Sequence, residues 1–174
     1  MHNVSNALAA CAAAYCLGVD PADMARGLAQ FTGAGRRFER KGVYHGADVY
    51  DDYAHHPDEL HALLTMAASL GYQRVICAFQ PHTYSRTAAF FDRFAAELKL
   101  AGLVVLAPMY AARETDDLGV SSQKLADQIP GAVYCASLQE TTDRLAELAR
   151  PGDLILTVGA GDIYLAGEAL VGAG

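Results

Sequence analysis

Apolar residues along the chain recur at two spacings, and each spacing predicts a different element. Positions three and four apart predict helices with one buried face, whereas short unbroken apolar runs predict strands covered on both faces. Four such runs are predicted to be strands: Arg74–Phe79, Leu103–Ala107, Ala132–Cys135 and Asp153–Val158. Helical spacing is found at Asp58–Gly71, Ser85–Leu100, Ser121–Gln128 and Leu138–Ala149. The alternation predicts an α/β fold with a mostly parallel sheet and helices on both of its faces.

A hairpin is predicted before the first of these helices. Val43-Tyr44 and Val49-Tyr50 flank the segment His45–Asp48, which is predicted to be the turn. Near the end of the chain, Gly159-Ala160-Gly161 is predicted to lead into a closing helix from Asp162. A tight turn is the favoured interpretation of these glycines, because a lone glycine turn is weak evidence for a phosphate site.

The first 31 residues have the pattern of two short helices. Asn3 or Ser5 is predicted to cap the first helix, which Gly18 ends. Asp20-Pro21 is predicted to start the second.

The glycine-rich segment 32–35 is the best candidate for a linker. A helical piece as small as residues 1–31 is unable to build a core of its own. We therefore expect two domains, with residues 1–31 as the tail of a domain whose remainder is absent and residues 32–174 as the second.

Polar clusters follow four of the predicted strands. They lie at 51–56, 80–86, 110–114 and 159–162. The carboxyl ends of parallel strands share one edge of a sheet, and ligands of open α/β sheets bind there. The four loops are therefore predicted to line one cleft.

The first cluster packs two carboxylates and two imidazoles in front of Pro57. Proline disfavours helical geometry in the residue before it, so His56 is expected to be extended. Asp51 or Asp52 can bind ribose hydroxyls, coordinate a cation or act as a base, and only one should reach the cleft because neighbours on a strand face opposite ways. A metal hydrolase is an alternative interpretation, but the orderly ligand spacing of zinc sites is missing. The second alternative interpretation is a solvated loop without a function.

The second cluster contains His82 and Arg86, four residues apart. If a helix begins near residue 82, both lie on one side of its start. Backbone N–H groups at a helix start favour an anion, and a guanidinium binds carboxylate or phosphate in a bidentate way. The pair is therefore predicted to bind an anion, with a surface ion pair as the alternative for Arg86.

Composition restricts the possible partners. The net charge of −7 and the lack of a basic stripe argue against nucleic-acid binding. Leu8–Leu17 is apolar but too short to cross a bilayer, so no membrane partner is expected. The four cysteines form no Cys-x-x-Cys pair, which is typical of free thiols in the reducing cytoplasm. None of the three lysines lies in a P-loop pattern, so if ATP is used, its phosphate-binding loop lies elsewhere.

Six motifs occur in one order along the whole chain. They are His2-Asn3-Val4-Ser5-Asn6-Ala7, Phe31-x-Gly33-x-x-Arg36-Arg37-Phe38, Asp51-Asp52-Tyr53-Ala54-His55-His56-Pro57, Phe79-Gln80-Pro81-His82-Thr83-Tyr84-Ser85-Arg86-Thr87, Tyr110-Ala111-Ala112-Arg113-Glu114 and Gly159-Ala160-Gly161-Asp162. Together they resemble the carboxyl-terminal part of the Mur ligases of peptidoglycan synthesis. The fourth motif is similar to that of the alanine-adding members rather than that of the related murein tripeptide recycling ligases.

The resemblance implies a protein with three domains: one for the UDP-sugar, a central ATPase domain with a P-loop, and a Rossmann-like domain that brings the amino acid. Residues 1–31 would be the helical tail of the central domain, and residues 32–174 the third domain. The implied activity joins L-alanine to UDP-N-acetylmuramate through an acyl phosphate, with ATP and Mg²⁺. The N-terminal and central domains, with most of the magnesium ligands, would be absent partners. Met1 directly before the first motif then resembles an artificial start.

The resemblance also implies roles for individual residues. Asn3 and Asn6 match asparagines that contact adenine, Arg37 an arginine near the ATP phosphates, and Asp52 an aspartate near the ribose. Tyr53 would lie beside the nucleotide.

His82 and Arg86 match the residues that hold the carboxylate of the incoming L-alanine, in agreement with the anion site predicted from their spacing. No catalytic residue and no metal ligand is implied within the chain, which alone is not expected to catalyse ligation. A free-standing nucleotide- or carboxylate-binding module stays open as the alternative.

Overall fold

A computed structural model describes residues 2–31 and 33–173, apart from the side chains of His2 and Asn3. The chain divides into two compact units, the first up to Ala34 and the second from Gly35. Within the described residues, no helix combines the length and the apolar character that a membrane crossing requires.

The first unit consists of two helices, α1 (His2–Cys16) and α2 (Pro21–Gln30). Asp20 caps α2, as predicted, by accepting a hydrogen bond from the backbone N–H of Ala22 at 2.7 Å. Gly18 follows α1 with φ +81°, a conformation that glycine adopts without strain. The predicted cap of α1 was wrong, because Asn3 and Ser5 both lie inside the helix.

The second unit is one six-stranded sheet with helices on both faces. The strands are β1 (Glu39–Tyr44), β2 (Ala47–Asp52), β3 (Arg74–Phe79), β4 (Leu103–Leu106), β5 (Val133–Tyr134) and β6 (Asp153–Val158). The helices are α3 (Pro57–Ala68), α4 (Tyr84–Ala89), α5 (Phe91–Leu98), α6 (Ser122–Ala126), α7 (Leu138–Leu148) and α8 (Tyr164–Gly172). The strand order is β1-β2-β6-β3-β4-β5, and only the pair β1–β2 is antiparallel.

Two apolar layers cover the sheet and confirm the predicted fold class. Successive side chains of a strand point to opposite faces. On β3, Cys77 and Phe79 pack in one layer with Leu64 of α3 and Phe94 of α5. The alternate residues of β3 pack on the other face, in a layer that also contains residues of α7 and α8. The strand is therefore apolar from Val75 to Phe79, which is why it could be recognised from the sequence.

The hairpin turn is shorter than predicted. Only His45 and Gly46 form it, with φ of 46° and 82°, because Ala47 and Asp48 already pair with Tyr44 and Val43. Two central residues with positive φ give the turn whose twist matches that of a hairpin.

The single helix predicted for residues 85–100 is also wrong. Phe90, with φ −123° and ψ 22°, separates α4 from α5. Its ring contacts the His56 ring at a centroid distance of 4.7 Å, while Phe94 is fully buried against Phe79. The break separates a short helix beside the end of β3 from a longer helix that packs on the core.

Candidate functional site

The loops that follow four parallel strands meet at one edge of the sheet. This meeting was predicted from the sequence, because each polar cluster follows a strand. The N–H of Gly159, after β6, donates to the carbonyl of Asp52 at the end of β2, at 3.0 Å. The N–H of Tyr110, after β4, donates to the carbonyl of Pro81, after β3, at 2.9 Å. Side chains that are far apart in the sequence are therefore neighbours here.

Asp51 at this edge is fully buried and its carboxylate is already engaged. Arg36 Nε donates to Asp51 Oδ2 at 2.8 Å, and Thr157 Oγ1 donates to Oδ1 at 2.7 Å. The other guanidinium nitrogens of Arg36 donate to the carbonyls of Gly161 at 2.9 Å and Gly159 at 2.6 Å. This arrangement gives Asp51 a structural role rather than one of the ligand roles considered for it.

Asp52 is 9% exposed and is held by the backbone. Its two oxygens accept hydrogen bonds from the N–H groups of Phe38 at 2.8 Å and Ala54 at 2.9 Å. Burial raises the pKa of Asp52, and these two hydrogen bonds oppose the rise. The carboxylate keeps lone pairs for a hydroxyl group, since each oxygen has accepted one bond from these two donors.

Tyr53 follows Asp52 and lies beside two arginines. The guanidinium carbons of Arg36 and Arg37 are 5.0 Å and 5.9 Å from the centroid of its ring. Arg37 is exposed, unlike Arg36, whose guanidinium is tied to the loop after β6.

In the first unit, Asn6 is exposed on α1, whereas the side chain of Asn3 lies outside the described residues.

His82 and Arg86 contact each other, and α4 begins at Tyr84, two residues after His82. Arg86 Nη1 donates to the carbonyl of His82 at 2.5 Å and lies 3.1 Å from His82 Nδ1. A guanidinium only donates, so Nδ1 must accept and the ring proton of a neutral His82 is on Nε2. Burial, followed by the charge of Arg86, lowers the pKa of His82. The pair therefore presents a guanidinium and a neutral N–H donor.

His55 and His56, which precede α3, make different hydrogen bonds. The ring of His55 lies 6.3 Å from that of His82, and its Nδ1 is 2.9 Å from the carbonyl of Tyr53, so Nδ1 carries the proton. His56 is extended, as predicted before Pro57, and its Nδ1 caps α3 by accepting from the N–H of Asp58 at 3.4 Å.

Tyr110 supports the His82 ring from the loop after β4. The two rings stack at a centroid distance of 5.4 Å with 16° between their planes. Gly161 makes room for Tyr110, because a Cβ at this position would lie 2.6 Å from Cγ of the tyrosine. Gln80 Nε2 donates to Asp162 Oδ1 at 2.7 Å and fixes the same turn. The glycine turn is thus a packing feature, in line with the interpretation favoured from the sequence.

The described residues offer Mg²⁺ no evident site at this edge. No three His, Cys, Asp or Glu side chains among them are grouped as metal ligands. The carboxylates of Asp51 and Asp52 accept hydrogen bonds from protein donors instead.

Sequence reasoning gave no role to three residues that shape this site. Arg36, Gln80 and Glu114 were seen only as parts of motifs. Arg36 binds carbonyls 123 and 125 residues away as well as Asp51, 15 residues away, Gln80 binds Asp162, 82 residues away, and Glu114 binds residues 29 and 31 positions away. No local spacing signals contacts of that kind.

Comparison with known proteins decides the family. The sequence model described as Mur ligase, glutamate ligase domain, matches residues 36–161. The chain belongs to the Mur ligase family. The matched range runs from Arg36 to Gly161 and therefore contains Arg37, Asp52, Tyr53, His82 and Arg86.

Individual Mur ligases extend the match over nearly the whole chain. The UDP-N-acetylmuramate–L-alanine ligase of Lachnospira eligens is 49% identical over 98% of this chain and 38% of its own length. The crystal structure of UDP-N-acetylmuramate–alanine ligase from Thermotoga maritima has a TM-score of 0.78 and 30% identity, covering 99% of this chain and 37% of that one. A murein peptide ligase from Psychrobacter arcticus has a TM-score of 0.73 and 26% identity, with coverage of 99% and 37%. The chain thus spans less than two fifths of the length of these relatives.

Proposed function

We propose that this chain is the amino-acid-bringing part of an ATP-dependent ligase that adds L-alanine to UDP-N-acetylmuramate. The observation that carries the proposal is the contact between Arg86 and His82 at the edge of the sheet. The relative from Lachnospira eligens, named a UDP-N-acetylmuramate–L-alanine ligase, supports the substrate.

The pair would act by orientation. A guanidinium and a neutral imidazole N–H suit a carboxylate, and holding the carboxylate of L-alanine aims its amine. In the proposed reaction the neutral amine attacks the carbonyl carbon of an acyl phosphate. A C–N bond forms, the C–O bond to phosphate breaks with its electron pair leaving on phosphate, and the nitrogen loses a proton.

ATP would bind through Arg37, Asp52 and Tyr53 of the second unit and, separately, through Asn3 and Asn6 of the first. Arg37 is exposed and suits a phosphate, and Asp52 retains acceptor capacity for a ribose hydroxyl. Mg²⁺ would be held mainly by the absent central domain, since the carboxylates here do not suit it, and we assign it no step. We infer a cytoplasmic location, which the free state of Cys11, Cys16, Cys77 and Cys135 supports.

The test of this proposal has two parts. Sequencing the DNA upstream of Met1 in frame should reveal a P-loop, and the longer protein should form product only when ATP, UDP-N-acetylmuramate and L-alanine are all present. The chain of 174 residues alone should form none. Ligation by this chain alone would contradict the proposal, and a genuine start codon at Met1 would favour a free-standing binding module.

A murein peptide ligase is the second candidate, because such an enzyme from Psychrobacter arcticus has a similar structure. The two candidates differ in the substrate whose amine is joined, which is L-alanine for the first and a murein tripeptide for the second. Competition between L-alanine and a murein tripeptide with a free N-terminal amine in the assay of the longer protein distinguishes them. Preferential use of the tripeptide would replace the first candidate with the second.

A further inference from the structure

Glu114 joins two loops at the carboxyl edge of the sheet. It lies in the loop after β4, and its carboxylate accepts hydrogen bonds from donors that precede or begin α4. These are Thr83 Oγ1 at 2.7 Å, the Ser85 N–H at 2.8 Å and Ser85 Oγ. The hydrogen bonds from the side chains of Ser85 and Thr83 lower the pKa of Glu114 to about 2. The group is therefore a charged acceptor at neutral pH.

The first turn of α4 uses this carboxylate as its cap. Thr83 is the N-cap residue, yet its side chain makes no capping hydrogen bond to the helix. The first N–H groups of a helix have no partner within it. Glu114 supplies the acceptor from another loop, so the anion favoured at this helix start is the protein's own carboxylate.

The turn that Glu114 caps carries Arg86. From there Arg86 Nη1 contacts both the carbonyl and Nδ1 of His82. Tyr110, in the same loop as Glu114, stacks on the His82 ring. One loop therefore supports both residues of the pair, through an aromatic contact with His82 and a cap on the helix that carries Arg86.

We propose that Glu114 is a positioning residue for amino-acid binding, and that its carboxylate fixes the start of α4 so that Arg86 and His82 hold the substrate carboxylate. The inference rests on the proposed function. Glu114 acts through Thr83 and Ser85 and does not itself touch the amino acid.

The test uses NMR on the isotope-labelled 174-residue chain and on variants of it. Glu114→Gln keeps the size of the side chain but replaces one acceptor oxygen by an NH₂ group, which only donates. A double variant, Thr83→Val with Ser85→Ala, removes the two hydroxyl donors. Glu140→Gln is the matched control, because Glu140 also accepts from a backbone N–H near a helix start, that of Ala136 at 2.7 Å.

Glu114→Gln should shift the signals of the His82 ring nitrogens and of Arg86 Nε, and should weaken L-alanine binding about tenfold, the effect of losing roughly one hydrogen bond to the substrate. The double variant should change both readouts in the same direction. Combining it with Glu114→Gln should give less than the sum of the two effects, because they remove shared bonds. Glu140→Gln should change neither readout. Unmoved signals across the sheet show that each variant is folded.

Unmoved His82 and Arg86 signals in folded Glu114→Gln would overturn the inference, and so would moved signals with unchanged L-alanine affinity. Weaker binding without moved signals would also overturn it, because Glu114 would then act directly. A wild-type chain that does not bind L-alanine would count against the proposed function. The His82 and Arg86 signals would still decide whether Glu114 positions them.

Discussion

Arg86 Nη1 lies 3.1 Å from His82 Nδ1 and fixes which nitrogen of that ring carries the proton. Since the guanidinium must donate, Nδ1 accepts and Nε2 is protonated. His55 is the opposite case, because its Nδ1 faces the Tyr53 carbonyl at 2.9 Å and must donate. Two neighbouring rings thus have opposite tautomers, each set by one contact.

The first prediction concerns these tautomers. Nitrogen-15 NMR of the chain above the histidine titration range should show His82 protonated on Nε2 and His55 protonated on Nδ1. Arg86→Met should release the restriction on His82 and leave that on His55 unchanged. The same tautomer on both rings of the wild-type chain would contradict the geometry.

The second prediction is a pH dependence of stability. The pKa of His82 is lowered from 6.5 by burial and by Arg86. Below pH 6.5 the unfolded chain therefore binds more protons than the folded one, and the free energy of unfolding should fall as the pH falls toward the folded pKa. Urea titrations from pH 7.5 downward should show a smaller loss in His82→Gln than in the wild type. The exposed His45→Asn is the control, and an identical pH dependence in His82→Gln and the wild type would contradict the prediction.

The third prediction concerns Arg36. Arg36→Met would leave the fully buried Asp51 without its cationic partner and the carbonyls of Gly159 and Gly161 without donors. Breaking a buried ion pair costs about 3–5 kcal/mol, a large share of the stability of a domain. Urea unfolding should therefore shift strongly. Arg40→Met is the control, because the Arg40–Asp48 pair is 54% and 30% exposed and should contribute little to stability. Equal effects of the two variants would contradict the prediction.

The fourth prediction concerns Gly161. In Gly161→Ala the new methyl group would collide with Gln80 Oε1 and with Tyr110 Cγ, the latter at 2.6 Å. We expect a loss of about 1–3 kcal/mol in the free energy of unfolding, as overpacking causes, together with a shift of the His82 ring signals when Tyr110 moves. Gly172→Ala is the control, because its new methyl group would meet no atom within 4 Å other than those of its chain neighbours and its own helix backbone. A Gly161→Ala chain with wild-type stability would contradict the packing described here.

The central strands β3 and β6 were predictable because burial on both faces leaves a nearly continuous apolar run after the charged first residue. Arg74–Phe79 and Asp153–Val158 have the predicted bounds for this reason. The break at Phe90 was not predictable, because apolar spacing continues through it from Ser85 to Leu98. Tertiary contacts of Phe90 and Phe94, not local propensity, accompany that break.

The site was predictable in its location and not in its internal contacts. Strand order alone brings residues 51–56 and 80–86 to one edge of the sheet. The guanidinium of Arg36 donates to the carbonyl of Gly159, which is 123 residues away. No local pattern reveals that this contact is made by Arg36 rather than by Arg37. The same holds for the cap that Glu114 provides to α4.

The central claim is that Arg86 binds the carboxylate of L-alanine, and steady-state kinetics of the longer ligase carrying Arg86→Ala test it most directly. The lost charge-assisted interaction should raise KM for L-alanine by about one to two orders of magnitude, with KM for ATP little changed. Arg93→Ala, which removes a surface ion pair with Asp58, is the control and should leave both constants unchanged. An unchanged KM for L-alanine in Arg86→Ala would contradict the claim.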